Sequence, residues 1–286
     1  MNGDLFDTDL QVIASGCLDK MATRWQDGQV HYALQLGDQT VNLNEWLGRE
    51  LELKATGQIF CSYCGKKTPK SYGQGYCYQH FMSLAQCDGC MMAPEKCHFD
   101  QGTCREPEWA ERVCMQTHYV YLANASELKV GITRVSQIPT RWLDQGATQA
   151  IPIARVTSRF LSGLLESMFR EHVSDKTNWR AMLKGDAELL DMAAERDALF
   201  ATCEAKMAEL VQQYGPQHIQ FISQGETHEF RYPVSQYPEK IISINFDKQS
   251  SIGGTLLGIK GQYLIFDRGV INIRRHTGYE IEFCGA

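Results

Sequence analysis

Between Cys61 and Cys114 the chain places eight of its eleven cysteines within 54 residues, and residues 61–117 hold one leucine, one valine and no isoleucine. A stretch so poor in aliphatic side chains cannot close a hydrophobic core of its own, so its order must come from another source. The cysteines supply one. Tight Cys-x-x-Cys pairs present two thiolates from a single turn, and two such turns complete a tetrahedron around zinc. Metal affinity at such a site is folding free energy.

The first set, in CSYCGKKTPKSYGQGYCYQH, is Cys61, Cys64, Cys77 and His80, with a glycine-rich spacer of twelve residues between the halves. Four protein ligands leave no open position, so a structural site is expected. His80 is the ligand that a partly buried, non-ligating histidine would most easily imitate. The second set, in CDGCMMAPEKCHFDQGTC, is Cys87, Cys90, Cys97 and Cys104, with His98 and Cys114 competing for the later positions. Reduced thiols in a small core are the alternative for this set, and the scarcity of aliphatic neighbours argues against it. About two zinc ions per chain are therefore expected. Cys17, Cys203 and Cys284 lie outside the cluster and are read as buried or incidental thiols.

Zinc rather than disulfides is the reading for a reducing compartment. The start, MNGDLFDTDL, has neither the basic nor the apolar region of a secretory leader, and no apolar run approaches the roughly 20 residues of a membrane helix. The expectation is a cytoplasmic protein without a membrane partner. A net charge of −6 argues against a general nucleic-acid coat, but the charge is uneven: residues 118–184 carry nine Lys/Arg against five Asp/Glu, and residues 186–209 carry two against seven. Local phosphate contact is permitted.

Hydrophobic periodicity predicts an α+β protein. Val30, Tyr32, Leu34 and Leu36 alternate with polar neighbours, LGDQT supplies a turn, and Val41 and Leu43 resume the period. The stretch from about 240 to the end repeats this character, with glycine turns between short β-branched runs. ATGQIF and IKGQYLIF are loosely alike, which suggests either a weak repeat or two edges of one small barrel built from both ends of the chain. Leu189, Met192, Leu199, Cys203, Met207 and Leu210 mark a helix over 186–213 that Gly215-Pro216 closes. The expected order is a β-rich segment (1–60), a zinc-binding region (61–117), an α/β domain (118–184), a helix (185–215) and a second β-rich segment (216–286).

The α/β segment begins HYVYLANASELKVGITR and continues through RWLDQG, SGLLESMF and KTNWR. This pattern resembles a GIY-YIG nuclease module over residues 118–184. Tyr121 stands at the tyrosine of the first half-motif, Gly131 at the glycine of the second, and Thr133 two residues beyond. Arg141 matches the helix arginine, Glu166 the later glutamate and Asn178 the asparagine. Two positions depart: Lys129 stands where the motif has tyrosine, and Tyr119 where the first half has glycine. Over its whole length the chain also resembles an uncharacterised bacterial and archaeal family.

The GIY-YIG resemblance implies a divalent-metal-dependent endonuclease acting on structured DNA or RNA. Glu166 would hold Mg²⁺ or Mn²⁺, Arg141 would engage phosphate through its planar fork, and Tyr121 or Lys129 would orient or deprotonate water. Two rival readings come from other classes. One is a non-catalytic module that grips nucleic acid or a ribonucleoprotein; the other is a zinc-stabilised adaptor for a protein partner. Convergence of Tyr121, Arg141 and Glu166 separates the enzyme from both.

Overall fold

The computed structural model describes residues 10–286; residues 1–9, which hold most of the acidic start, lie outside the described residues. In chain order, five strands come first: β1 Gln11–Cys17, β2 Ala22–Gln26, β3 Gln29–Leu36, β4 Gln39–Asn42 and β5 Glu50–Ile59. Two short helices follow, α1 Tyr78–Ser83 and α2 Pro107–Val113. Then come β6 His118–Asn124, β7 Leu128–Arg134, α3 Thr140–Asp144, β8 Gln149–Val156, α4 Arg159–Phe169, α5 Trp179–Met182 and α6 Met192–Tyr214. The chain ends with β9 Ile219–Phe221, β10 His228–Glu229, β11 Ser251–Lys260, β12 Tyr263–Phe266, β13 Gly269–Asn272 and β14 Tyr279–Gly285. The protein is α+β. Among the described residues no helix is long and apolar enough to cross a membrane. Two compact units result, one from the chain up to Gln79 with Tyr232–Ala286, the other from His80–Arg231.

In the His80–Arg231 unit the sheet runs β10-β8-β6-β7, with β9 also on β8. Val120, Leu122, Val130 and Ile132 share one core with Leu161, Leu165, Met168 and Phe169 of α4 and with Met192, Leu199 and Cys203 of α6. The alternation of a strand turns Tyr121 away from that core, edge-on to Trp142 at 5.9 Å between ring centroids. The α4 stripe follows helical spacing, and Ser158 caps its start by accepting from Leu161 N at 3.3 Å. The long helix begins later than its periodicity predicts. Asp191 accepts from Ala194 N at 3.0 Å and so starts α6 at Met192, leaving Leu189 58% exposed outside it. Apolar spacing carried the expectation past the cap.

In the other unit, Val30, Tyr32, Leu34 and Leu36 are all buried, as their alternation predicts. The two β-rich ends pair directly: β14 lies between β1 and β5, and β5 lies between β14 and β11. The small barrel is corrected, because this sheet, β1-β14-β5-β11-β12-β13, is open. Its outer strands are engaged elsewhere. The β13 edge takes residues 242–244, with Val270 N bonding Ile242 O at 2.8 Å and Ile244 N bonding Val270 O at 3.0 Å. β1 leads instead toward the separate β2-β3-β4 sheet, where Gly37 N donates to Cys17 O at 2.9 Å.

This unit is built twice from one pattern, in a register other than the one suggested by ATGQIF and IKGQYLIF. Those stretches are not equivalent, since one ends β5 and the other spans β11 and β12. The repeat instead relates LQLGDQTVNLNEWLGRELEL (34–53) to LIFDRGVINIRRHTGYEIEF (264–283). In each copy an asparagine (Asn42, Asn272) precedes a four-residue 3₁₀ turn, Leu43–Trp46 or Ile273–His276. A glycine at positive φ follows, Gly48 at 75° and Gly278 at 89°. Leu53 and Phe283, equivalent residues, face each other across β5 and β14. That self-pairing is what a local two-fold axis demands.

Leu53 and Phe283 are both fully buried, and Phe283 meets Trp46 edge-on at 5.0 Å. Phe283→Ala is expected to destabilise this unit by about 3–5 kcal/mol in urea unfolding, the usual cost of emptying a filled aromatic site.

Candidate functional site

Cys61 lies two residues beyond the end of β5. Its N–H donates to Lys66 O at 2.9 Å while its carbonyl accepts from Gly65 N at 2.8 Å, folding Cys61–Lys66 into a tight turn. Gly65 takes a φ of 69°, which a side chain would strain. Tyr72 and Tyr76 exchange backbone bonds of 2.8 and 2.9 Å, closing the glycine-rich spacer and delivering Cys77 to the start of α1. His80 lies three residues further along, one helical turn from Cys77. The Sγ atoms of Cys61, Cys64 and Cys77 and a ring nitrogen of His80 all lie within 4.8 Å of one another, so the four can hold a zinc ion.

The second cysteine set is arranged differently. Cys90, Cys97 and Cys104 line one cavity together with Cys114, Asp88 and His98. Cys87 ends a 3₁₀ turn, Ala85–Cys87, beside it. Asp88, Cys90 and His98 bring one ligand atom each within 4.8 Å of the others. Asp88 is also paired with Arg105, Oδ2 to Nε at 2.8 Å, and His98 Nδ1 lies 2.8 Å from Thr103 Oγ1.

The residues singled out between 118 and 178 form a further group in the same unit. Tyr121 stands opposite Gly131 across β6 and β7, and its ring fills the place of a glycine side chain. A Cβ on Gly131 would come within 2.6 Å of the Tyr121 hydroxyl. Tyr121 Oη donates to Gln145 Oε1 at 2.9 Å, and Lys129 Nζ donates to the same oxygen at 2.8 Å and to Thr177 Oγ1 at 2.6 Å. Val130 N bonds Ser174 O at 2.8 Å, which holds the 174–177 segment against β7 and brings Thr177 into place. Gln145 was not singled out from the sequence; its only signal is a position four residues after Arg141, one helical turn away. Asn178 is exposed and caps α5, accepting from Ala181 N at 3.2 Å.

Electrostatics ties Arg141 and Glu166 to this group. Burial pushes the Tyr121 hydroxyl up, opposed by the positive charge of Arg141, while Glu166 adds to the rise. Burial pulls Lys129 down to about 7, with Arg141 pushing the same way and Glu166 and Asp175 opposing. Burial also raises Glu166 to about 6 against the pull of Arg159, Arg141 and Arg170. Tyr121 and Lys129 are buried, whereas Arg141 and Glu166 are partly exposed and form the solvent side of the group.

Residues 48–281 match the profile of DUF2797, described as a protein of unknown function. The chain belongs to the DUF2797 family. The match takes in the Cys61–His80 cluster, the second cysteine set and the Tyr121 group, so all three lie within the family region. No curated protein and no solved structure matches this DUF2797 chain.

Removing either Cys61 or Cys64 by substitution with serine is expected to lower the bound zinc by about one ion per chain and to unfold the surrounding segment, read by elemental analysis and proteolysis. Wild type and Lys129→Met are expected to differ in the pH dependence of stability. Because the folded-state value of Lys129 lies near 7, below the ordinary 10.5, the folded protein binds fewer protons than the unfolded chain between those values. Wild type should therefore gain stability relative to Lys129→Met as pH rises from about 7 toward 10 in urea melts.

Proposed function

We propose that this DUF2797 protein is a zinc-containing nucleic-acid protein whose 118–184 region hydrolyses phosphodiester bonds in structured DNA or RNA with the help of a divalent cation. One observation carries the reading. Tyr121, Arg141 and Glu166, taken from separate stretches by their order in the sequence, are mutually coupled around one group with Lys129. A carboxylate and a guanidinium on its solvent side, with a phenol and an amine behind them, are the side chains that phosphoryl chemistry uses.

The roles divide by chemistry. Glu166 would hold Mg²⁺ or Mn²⁺, which needs few protein carboxylates and would offset charge on the phosphate. Arg141 binds the phosphate oxygens through its fork. Lys129, held near 7, is a proton acceptor at neutral pH, which an ordinary lysine is not. Gln145 and Thr177 hold its amine in place, and Tyr121 fixes Gln145. The zinc ion of Cys61, Cys64, Cys77 and His80 has no open position and stays structural.

Burial favours a second reading. Tyr121 is fully buried and Lys129 is 3% exposed, so the group also suits a module that binds phosphate through Arg141 without cleaving. Cleavage of DNA and RNA panels with Mg²⁺ and Mn²⁺, beside binding across a salt series, separates the two. The nuclease reading expects metal-dependent cleavage that rises with pH through about 7, as Lys129 loses its proton. Glu166→Gln should abolish cleavage while leaving binding largely intact, and Arg141→Ala should weaken both. Lys129→Tyr, which restores the usual motif residue, should lower the rate if lysine is the working base and raise it if lysine is a poor substitute. Salt-sensitive binding without cleavage would leave the binding module standing, and neither binding nor cleavage would point to a protein adaptor.

A further inference from the structure

We propose that Cys90, Cys97, Cys104 and Cys114 hold a second zinc ion, with Cys114 as the ligand that ties this ion to the start of α4. The four cysteines lie within 25 residues of chain and line one cavity. Short 3₁₀ turns at Gly89–Met91, Pro94–Lys96 and Phe99–Gln101 fold the chain back on itself between them. Cys114 arrives from the far end of α2 and is buried. Within that cavity Cys114 stands near Cys97, Cys90 and Cys104, and Cys90 near Cys97 and Cys104, although the four thiols are not all within 4.8 Å of one another. Crowded thiols without a cation are mutually repulsive once ionised, and zinc removes that conflict.

The surroundings fit the charge of such a site. Four thiolates around Zn²⁺ leave a net charge of about −2, which needs a nearby cation if it is buried. Arg159 supplies one. Its guanidinium interacts with Cys114 and Cys90, and its Nε is buried with no hydrogen-bond partner among the described residues. Arg159 also clamps the segment mechanically. Its Nη2 donates to Met91 O at 2.8 Å, and its backbone N–H donates to Cys114 O at 2.7 Å. One turn further along α4, Gly163 packs against Pro94 so closely that a Cβ would come within 2.6 Å of the proline Cβ.

The competing set within the same cavity is Asp88, Cys90 and His98. It offers one thiolate, and its carboxylate and imidazole already answer to Arg105 and Thr103. Zinc in a closed structural site favours the sulfur-rich set.

The test uses the full chain purified without added metal. Elemental analysis should give about two zinc ions per chain. X-ray absorption at the zinc edge should fit seven sulfurs and one nitrogen over the two ions, three sulfurs with His80 at the first site and four at the second. This readout needs no variant, so it stands even where a substitution impairs folding. Cys114→Ser should lower the content to about one ion per chain, while Cys87→Ser and His98→Asn should retain two. The proposal is overturned if Cys114→Ser keeps two ions, if Cys87→Ser or His98→Asn loses one, or if the wild type holds a single ion. Four sulfurs in total over two ions would equally assign the second site to Asp88, Cys90 and His98. None of these readouts depends on whether the protein cuts nucleic acid.

Discussion

A segment that lacks aliphatic side chains must be ordered by bonds of another kind, and in this protein the ligand-bearing turns take that place. The 61–66 turn, the closed spacer at Tyr72 and Tyr76 and the start of α1 each do one thing: they aim a thiol or an imidazole at a common point. Between them and β6 apolar burial is sparse and rests on Leu84, Ala85, Pro94 and Ala110. The 88–114 stretch is then fixed to α4 by direct contact, through Gly163 against Pro94 and Arg159 against Met91 and Cys114. The thiol-rich stretch and the hydrophobic core thus meet along one helix, the helix that also carries Glu166.

The Tyr121 group has the opposite problem, polar side chains where water is scarce. Burial pulls Lys129 and Glu166 toward their neutral forms from opposite directions, one down to about 7 and the other up to about 6. An amine and a carboxylate poised within reach of neutrality cost folding free energy, and a protein that only needed packing there would use leucine. The group is satisfied locally, since Gln145 accepts from both Tyr121 and Lys129 and Thr177 accepts from Lys129. Perturbed acid–base groups held in place by a polar network are what a functional site looks like in physical terms.

What could be read from the sequence divides along local and non-local lines. The strands of the N-terminal segment, the α+β class and the Cys61–His80 cluster depend on spacings within a few residues, and those spacings survive in the fold. The barrel did not, because closure depends on what occupies an edge, and residues 242–244 take up β13 by a contact invisible to periodicity. Leu189 fitted the helical stripe, yet the cap at Asp191 excluded it. The duplication kept shape rather than identity: Asn42 and Asn272, Gly48 and Gly278 remain, while most apolar partners changed type between Leu, Ile, Val and Phe. Gln145 carries no motif at all. Its part follows only from β6, β7 and α3 being brought together.

The duplicated unit is interrupted in the chain by the whole of His80–Arg231. Its first copy ends in β5, a strand with partners on both sides, β14 and β11. Both partners come from beyond residue 250. During synthesis the nascent first copy therefore carries a strand with both edges open, each of them running past Leu51 and Leu53, until β11 and β14 have been made. The charges along β5, Glu50, Glu52 and Lys54, fall on the face opposite those leucines and serve as guards against pairing with the wrong chain in that interval. The interval between making β5 and making its partners, rather than the stability of the finished sheet, is then the period in which this chain is most open to wrong pairing.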